Sequence, residues 1–226
     1  MKSIVKIAAA MTFVAAMPLA AADKEQPGTR SLYLQLIQQA RADGRAWAAL
    51  AYLDDYERQY PGDGEAQVLR INSLLDIGKV QEAEALAGKL PPGAGNPRVS
   101  AARGHVAAAR DRWAEAATAY RAAVQTNPAD PMLLNALGYA ELRSGHVDAA
   151  VERLRAAADL APGDKVLRNN LLLALAVAGR DTETAAIIGT IADERERADL
   201  LAGLPQEAAQ VRENQFASQD RMVVSR

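Results

Sequence analysis

The sequence has no cysteine, and only two phenylalanines, two tryptophans and two histidines, in 226 residues. Without cysteine there is no disulfide to brace the fold and no thiol to carry a lipid anchor behind a leader. His105 and His146 have neither a cysteine nor a second histidine at ligand spacing, so no metal site is expected and both read as structural or solvent-exposed. No GxSxG elbow and no GxxxxGK phosphate loop occurs, so nothing supports an enzyme and no cofactor is expected. Charge of one sign is missing too. The 26 basic and 28 acidic residues leave a net −2, which points to neither a nucleic-acid surface nor an acidic tail. Strand-period segments are absent, and half the residues are hydrophobic, so the expected class is all-α with a sizeable core.

What the sequence does contain is a repeat. Shifted by 34 residues, the stretch from Pro97 to Asp130 falls on the stretch from Pro131 to Asp164. Gly104 then meets Gly138, Ala116 meets Ala150, Tyr120 meets Leu154, Ala123 meets Ala157 and Pro128 meets Pro162. The frame extends back over 30–63, with Gly44, Ala49, Leu53, Tyr56 and Pro61 in register, and over 64–96 with one residue missing. Forward, 165–198 keeps Leu171 and Gly179 but has Thr184 and Glu196 at the small and proline positions. Each unit carries two apolar stripes at helical spacing, such as Leu133, Leu134, Leu137 and Ala140, then Val147, Ala150, Val151 and Leu154. Two short helices cannot bury both stripes alone, so the units must stack.

This pattern resembles the tetratricopeptide repeat (TPR) family across residues 30–198. It is carried by Gly104 and Gly138, by turn glycines at 44, 78, 145 and 179, by alanines at 49, 83, 116 and 150, and by prolines at 61, 128 and 162. Asp111 replaces one turn glycine, and Ile37, Ile71 and Leu172 replace the small residue. The resemblance implies a right-handed α-solenoid of five helix-turn-helix units (30–63, 64–96, 97–130, 131–164, 165–198) with a C-terminal capping helix.

The ends read differently. Lys2 and Lys6, an apolar run to Met17, Pro18 and the small residues Ala20 to Ala22 predict a signal peptide over 1–22 and an exported, periplasmic chain that starts at Asp23. Loss of Lys2 and Lys6 leaves 24 basic against 28 acidic residues, near −4, and no membrane span remains. Residues 23–29 read as a linker. Residues 199–226 read as a capping helix, with Pro205 in its first turn, followed by a flexible tail. The alternating charges of 192–199 predict a salt-bridged surface, and Asp54 and Asp55, adjacent on a helix, predict a solvated face.

In TPR arrays the first helices of successive units line a concave groove. The resemblance places Gln38, Arg41, Glu65, Asn72, Asp76, Arg98, His105, Asn135, Tyr139, Arg143 and Asn169 on it. Asn135, Tyr139 and Arg143 recur every four residues along one helix face, and Asn169 follows Asn135 by one unit. Such a polar row suits the main chain of a protein or peptide partner. A narrower resemblance, over 135–150 and 166–204, is to the periplasmic TPR protein of tight-adherence (Flp) pilus assembly. It implies a scaffold for an envelope assembly component. An accessory subunit of an exported enzyme or polysaccharide export system is the alternative.

Overall fold

The computed structural model describes residues 27–91 and 95–224. Among these, eleven α-helices run in sequence: α1 (Pro27–Ala42), α2 (Ala46–Gln59), α3 (Gly64–Asp76), α4 (Val80–Ala87), α5 (Pro97–Ala108), α6 (Trp113–Thr126), α7 (Pro131–Arg143), α8 (Val147–Leu160), α9 (Lys165–Val177), α10 (Asp181–Gly189) and α11 (Glu194–Val224). The first ten form five antiparallel pairs, each packed on the next, and α11 lies chiefly against α9. The fold is an all-α solenoid of five units with a terminal helix. The predicted signal peptide, residues 23–26 of the linker and residues 92–94 lie outside the described residues.

The boundaries depart from the repeat frame in three places. α1 already begins at Pro27, inside the stretch read as linker. α4 has only eight residues, because the proline- and glycine-rich connection after Leu90 stops it early. At the end, α10 stops at Gly189, and α11 starts at Glu194 as one 31-residue helix through Val224. Pro205 therefore lies in a helix interior rather than in a first turn, and no separate tail begins before Val224.

The same local chemistry starts each first helix after α1. Asp63, Asn96, Asp130 and Asp164 stand at the N-caps of α3, α5, α7 and α9, with extended backbone and a side-chain oxygen accepting two of the free amides. Asp193 serves α11 alike, accepting from Arg195 at 2.9 Å and Glu196 at 3.1 Å. Each such cap contributes about 1 kcal/mol. The first helices end in a left-handed residue: Gly44, Gly78, Asp111, Gly145 or Gly179, with φ of 71°, 75°, 56°, 89° and 70°. The following amide reaches back five residues, as Arg45 does to the Ala40 carbonyl and His146 to that of Glu141, each at 2.8 Å. That bond closes the helix end. Asp111 carries the strain of an L side chain where the other four turns use glycine.

Between these turns, the helix pairs come close where the repeat places small residues. A Cβ at Gly138 would lie 2.7 Å from Leu154 Cγ, and one at Gly104 would lie 2.5 Å from the Tyr120 ring. Ala150 is fully buried, whereas Ala149, one step round the helix, is exposed. In unit two the sizes are reversed, with Ile71 on the first helix sharing its cluster with Ala83 and Ala87 of the second. The buried apolar residues form a chain of local clusters along the stack, each drawn from neighbouring helices, rather than one central core. Nearest-neighbour burial is how a solenoid is held.

Close approach at Gly138 is open to a direct test. Gly138→Ala should lower stability by roughly 1 to 3 kcal/mol, since the overpacking exceeds the helix propensity gained. Gly203→Ala in α11, where a Cβ meets nothing within 4 Å, should instead raise it by about 0.5 to 1 kcal/mol. Urea midpoints of the two variants separate these outcomes, and a shift of the same sign in both argues against the packing account.

Candidate functional site

The residues expected to face the groove are placed on the first helices, but most of them bind one another. Arg41 Nε donates to Asp76 Oδ2 at 2.8 Å, joining α1 to α3. Asn72 Oδ1 lies 3.0 Å from His105 Nδ1, joining α3 to α5. Asn135 Oδ1 accepts from Asn170 Nδ2 at 2.8 Å, joining α7 to α9. Glu65 pairs with Arg98 and lies 3.7 Å from Arg30. These are rungs between successive units. Gln38 is exposed. Asn135 is bonded by Asn170 rather than by Asn169, its counterpart one unit on, and the Asn169 oxygen accepts from its neighbour Arg168 at 3.2 Å. The side chain one residue later is the one that points back toward α7.

Between α5 and α7 an aromatic and cationic cluster takes the place of a rung. Trp113 opens α6 directly after the Asp111 turn. Its ring stands edge-on to Tyr139, with centroids 5.7 Å apart. The Arg143 guanidinium lies 4.4 Å from the Trp113 ring centroid and donates to Tyr139 Oη at 3.2 Å. The Arg143 side chain keeps 20% exposure, and its nearest carboxylate, that of Asp111, is 3.9 Å away and 81% exposed. A guanidinium held over an indole with one weak, solvated counter-ion is a fixed cation that can take a second anion.

The other tryptophan lies two units earlier, one residue further into its second helix than Trp113 is into α6. Trp47, in the first turn of α2, is 67% exposed, and Lys79 Nζ sits 5.8 Å from its ring centroid. It borders an open hollow of about 540 Å³ lined also by Arg41, Asp76 and Ile77. Neither tryptophan is among the residues expected from the sequence, because both belong to second helices. That each follows a left-handed turn within the first two residues of a second helix was the available signal.

Other expectations meet the structure as follows. Asp54 and Asp55 accept from Arg70 and Arg58 respectively. Within 192–199, Glu196 bonds Lys165 and Arg168 of α9 rather than its own helix. Among the described residues there is no cluster of three ligands suited to a metal ion, and no helix is long and apolar enough to cross a membrane.

His105 is the one rung residue whose ordinary pKa lies near neutral pH. Burial of the ring, aided by the Arg41 charge and opposed by Asp76, holds its pKa below the ordinary histidine value. Folded His105 thus stays neutral where the unfolded chain takes up a proton. Its contribution is present above a pH of about 6.5 and is lost as pH falls below it. The urea midpoint should accordingly drop between about pH 7.5 and 5.5, and His105→Gln should remove about half of that drop or more. An unchanged pH profile in the variant would show that the proton is taken up elsewhere.

Comparison with known proteins places this geometry. Residues 101–165 and 135–189 match the family model for the tetratricopeptide repeat. No curated protein matches by sequence. Among solved structures, a thermophilic TPR protein of Thermus thermophilus is similar at 22% identity, with 80% of this chain and 98% of that chain covered and a TM-score of 0.63. MamA of Desulfovibrio magneticus RS-1, from its residue 41 onward, is similar at 21% identity over 82% and 96%, with a TM-score of 0.52. YrrB, described as a TPR protein with an unusual peptide-binding site, is similar at 15% identity over 80% and 90%, with a TM-score of 0.51. Residues 101–189 thus carry the tetratricopeptide repeat, and the fold of the described residues is that of the TPR solenoids it resembles.

Proposed function

We propose that this protein is a non-catalytic scaffold of the periplasm that captures an extended, acid-bearing segment of a protein partner along its first helices, centred on Arg143. The observation that carries this is the Arg143 guanidinium stacked on Trp113 at 4.4 Å, with Tyr139 beside it and only a solvated Asp111 as counter-ion. Rungs through Asn72 and Asn135 keep neighbouring first helices in register, and their amides have capacity left for a partner's main chain. The peptide-binding site named for YrrB, a similar solenoid, supports the same reading.

An envelope assembly role, in a pilus or secretion apparatus, rests on the likeness of 135–150 and 166–204 to the tight-adherence TPR protein. Export rests on the leader-like residues 1–22. An accessory subunit of an exported enzyme or polysaccharide system is the second reading, and a catalytic partner in the captured complex would select it.

Two measurements test these proposals. A photo-crosslinking amino acid placed at Tyr139 or Asn72 should capture the partner in intact cells, while the same probe at Thr118 or Glu152, exposed on second helices, should not. Equal capture from both sets overturns the first-helix site. Intact mass of the exported protein should correspond to a chain beginning at Asp23, and retention of Met1 overturns the export reading.

A further inference from the structure

The helix face that carries Arg143 continues to the other end of α7. Met132, Asn135, Tyr139 and Arg143 follow one another at steps of three, four and four residues, so they lie along one stripe. Met132, in the first turn, is 55% exposed. Val166 stands at the same repeat position on the neighbouring first helix, α9, and is 58% exposed. In the two preceding units that position is held by Glu65 and Arg98, which pair with each other. The row is thus closed by an ion pair over α3 and α5, and open and apolar over α7 and α9.

The two ends of the α7 stripe ask for different chemistry. Asp130 and Asp164 cap the helices at the Met132 and Val166 end, so an acidic side chain meets like charge there and is directed to Arg143. Between the ends, Asn135 spends its oxygen on Asn170. What it offers a bound segment is its Nδ2 amide, a donor to main-chain carbonyls.

The distance between the ends sets the spacing of what can bridge them. Helix rise from residue 132 to residue 143 places the two backbones about 16 Å apart. The Arg143 side chain turns back by one turn, where Nη1 donates to Tyr139 Oη at 3.2 Å, so the cation stands about 10 to 16 Å from Met132 along the helix. An extended chain covers about 3.3 Å per residue and turns alternate side chains to opposite sides. A separation of four residues therefore spans about 13 Å and returns to the same side, whereas three or five residues end on the wrong one.

We propose that the segment captured here carries an acidic residue and a large apolar residue four positions apart, the acid on Arg143 and the apolar side chain on Met132 and Val166. This rests on Arg143 being the centre of a site for an extended segment, and adds to it a second anchor and a spacing. Met132 and Val166 are then specificity-determining residues, which reject segments that bring acid alone.

A bead-displayed library of random decapeptides, sorted on the labelled protein, tests this. Acidic and large apolar residues should be enriched together at a separation of four, about tenfold over separations of three or five, in one order or the other. Met132→Ser with Val166→Ser, both at exposed positions, should keep the melting temperature and the acid enrichment while losing the apolar partner. Arg143→Ser should lose the acid. Acid enrichment with no apolar residue four positions away overturns this inference and leaves the Arg143 site standing, whereas a library without acid enrichment overturns both. An unchanged acid and apolar pair in the double variant also overturns the inference, because the second anchor then lies elsewhere.

Discussion

Everything in this molecule depends on the fact that no helix pair can bury both of its apolar stripes by itself. Leu154 and Val151 of α8 are fully buried only because α9 brings Leu171 and Leu172 into the same cluster. Stability is therefore a sum of neighbouring interfaces, and the end units are the exposed ones. α1 shows this, with Leu32 and Leu36 at 66% and 45% exposure on its outer side. At the other end α11 supplies the missing neighbour.

That constraint also explains why the polar residues of the first helices are largely paired. Stacking by nonpolar contact alone leaves neighbouring units free to slide along their axes. Rungs at Arg41 and Asp76, Asn72 and His105, and Asn135 and Asn170 fix the register. Partly exposed pairs of this kind add little stability but specify one alignment. Asp63 joins both roles. It caps α3, accepts from Tyr56 Oη at 2.7 Å and binds Arg30 at 2.6 Å. Burial of Asp63 raises its pKa, and those hydrogen bonds outweigh the burial and leave it below the usual aspartate value.

How much was legible in the sequence follows from the range of the forces involved. Helix pairing, the close approach at Gly138 and the turns at Gly44, Gly78, Gly145 and Gly179 are local, so a 34-residue shift exposes them. The left-handed Asp111 was legible as well, as the one departure in that column. Partners across units were not. A repeat frame names which residues share a face but not which of the adjacent Asn169 and Asn170 bonds Asn135, a contact that Asn170 makes. The Trp113 and Arg143 contact joins a second helix to the first helix of the following unit, outside any single-helix pattern. Least legible was α11, whose length and return to Leu142 across 73 residues leave no periodic trace.

The aspartate caps have a consequence for how such a chain can change its length. The segment from Pro131 to Asp164 begins just after one cap residue and ends on the next, and Asp130 and Asp164 hold the following amides in the same way. A duplicated copy of that segment inserted after Asp164 would find its Pro131 facing the same kind of cap it faces now, and its own Asp164 would start α9 unchanged. Growth or loss by whole units therefore leaves every junction intact, and the solenoid is a ruler whose span can be reset in fixed steps while its two ends stay the same.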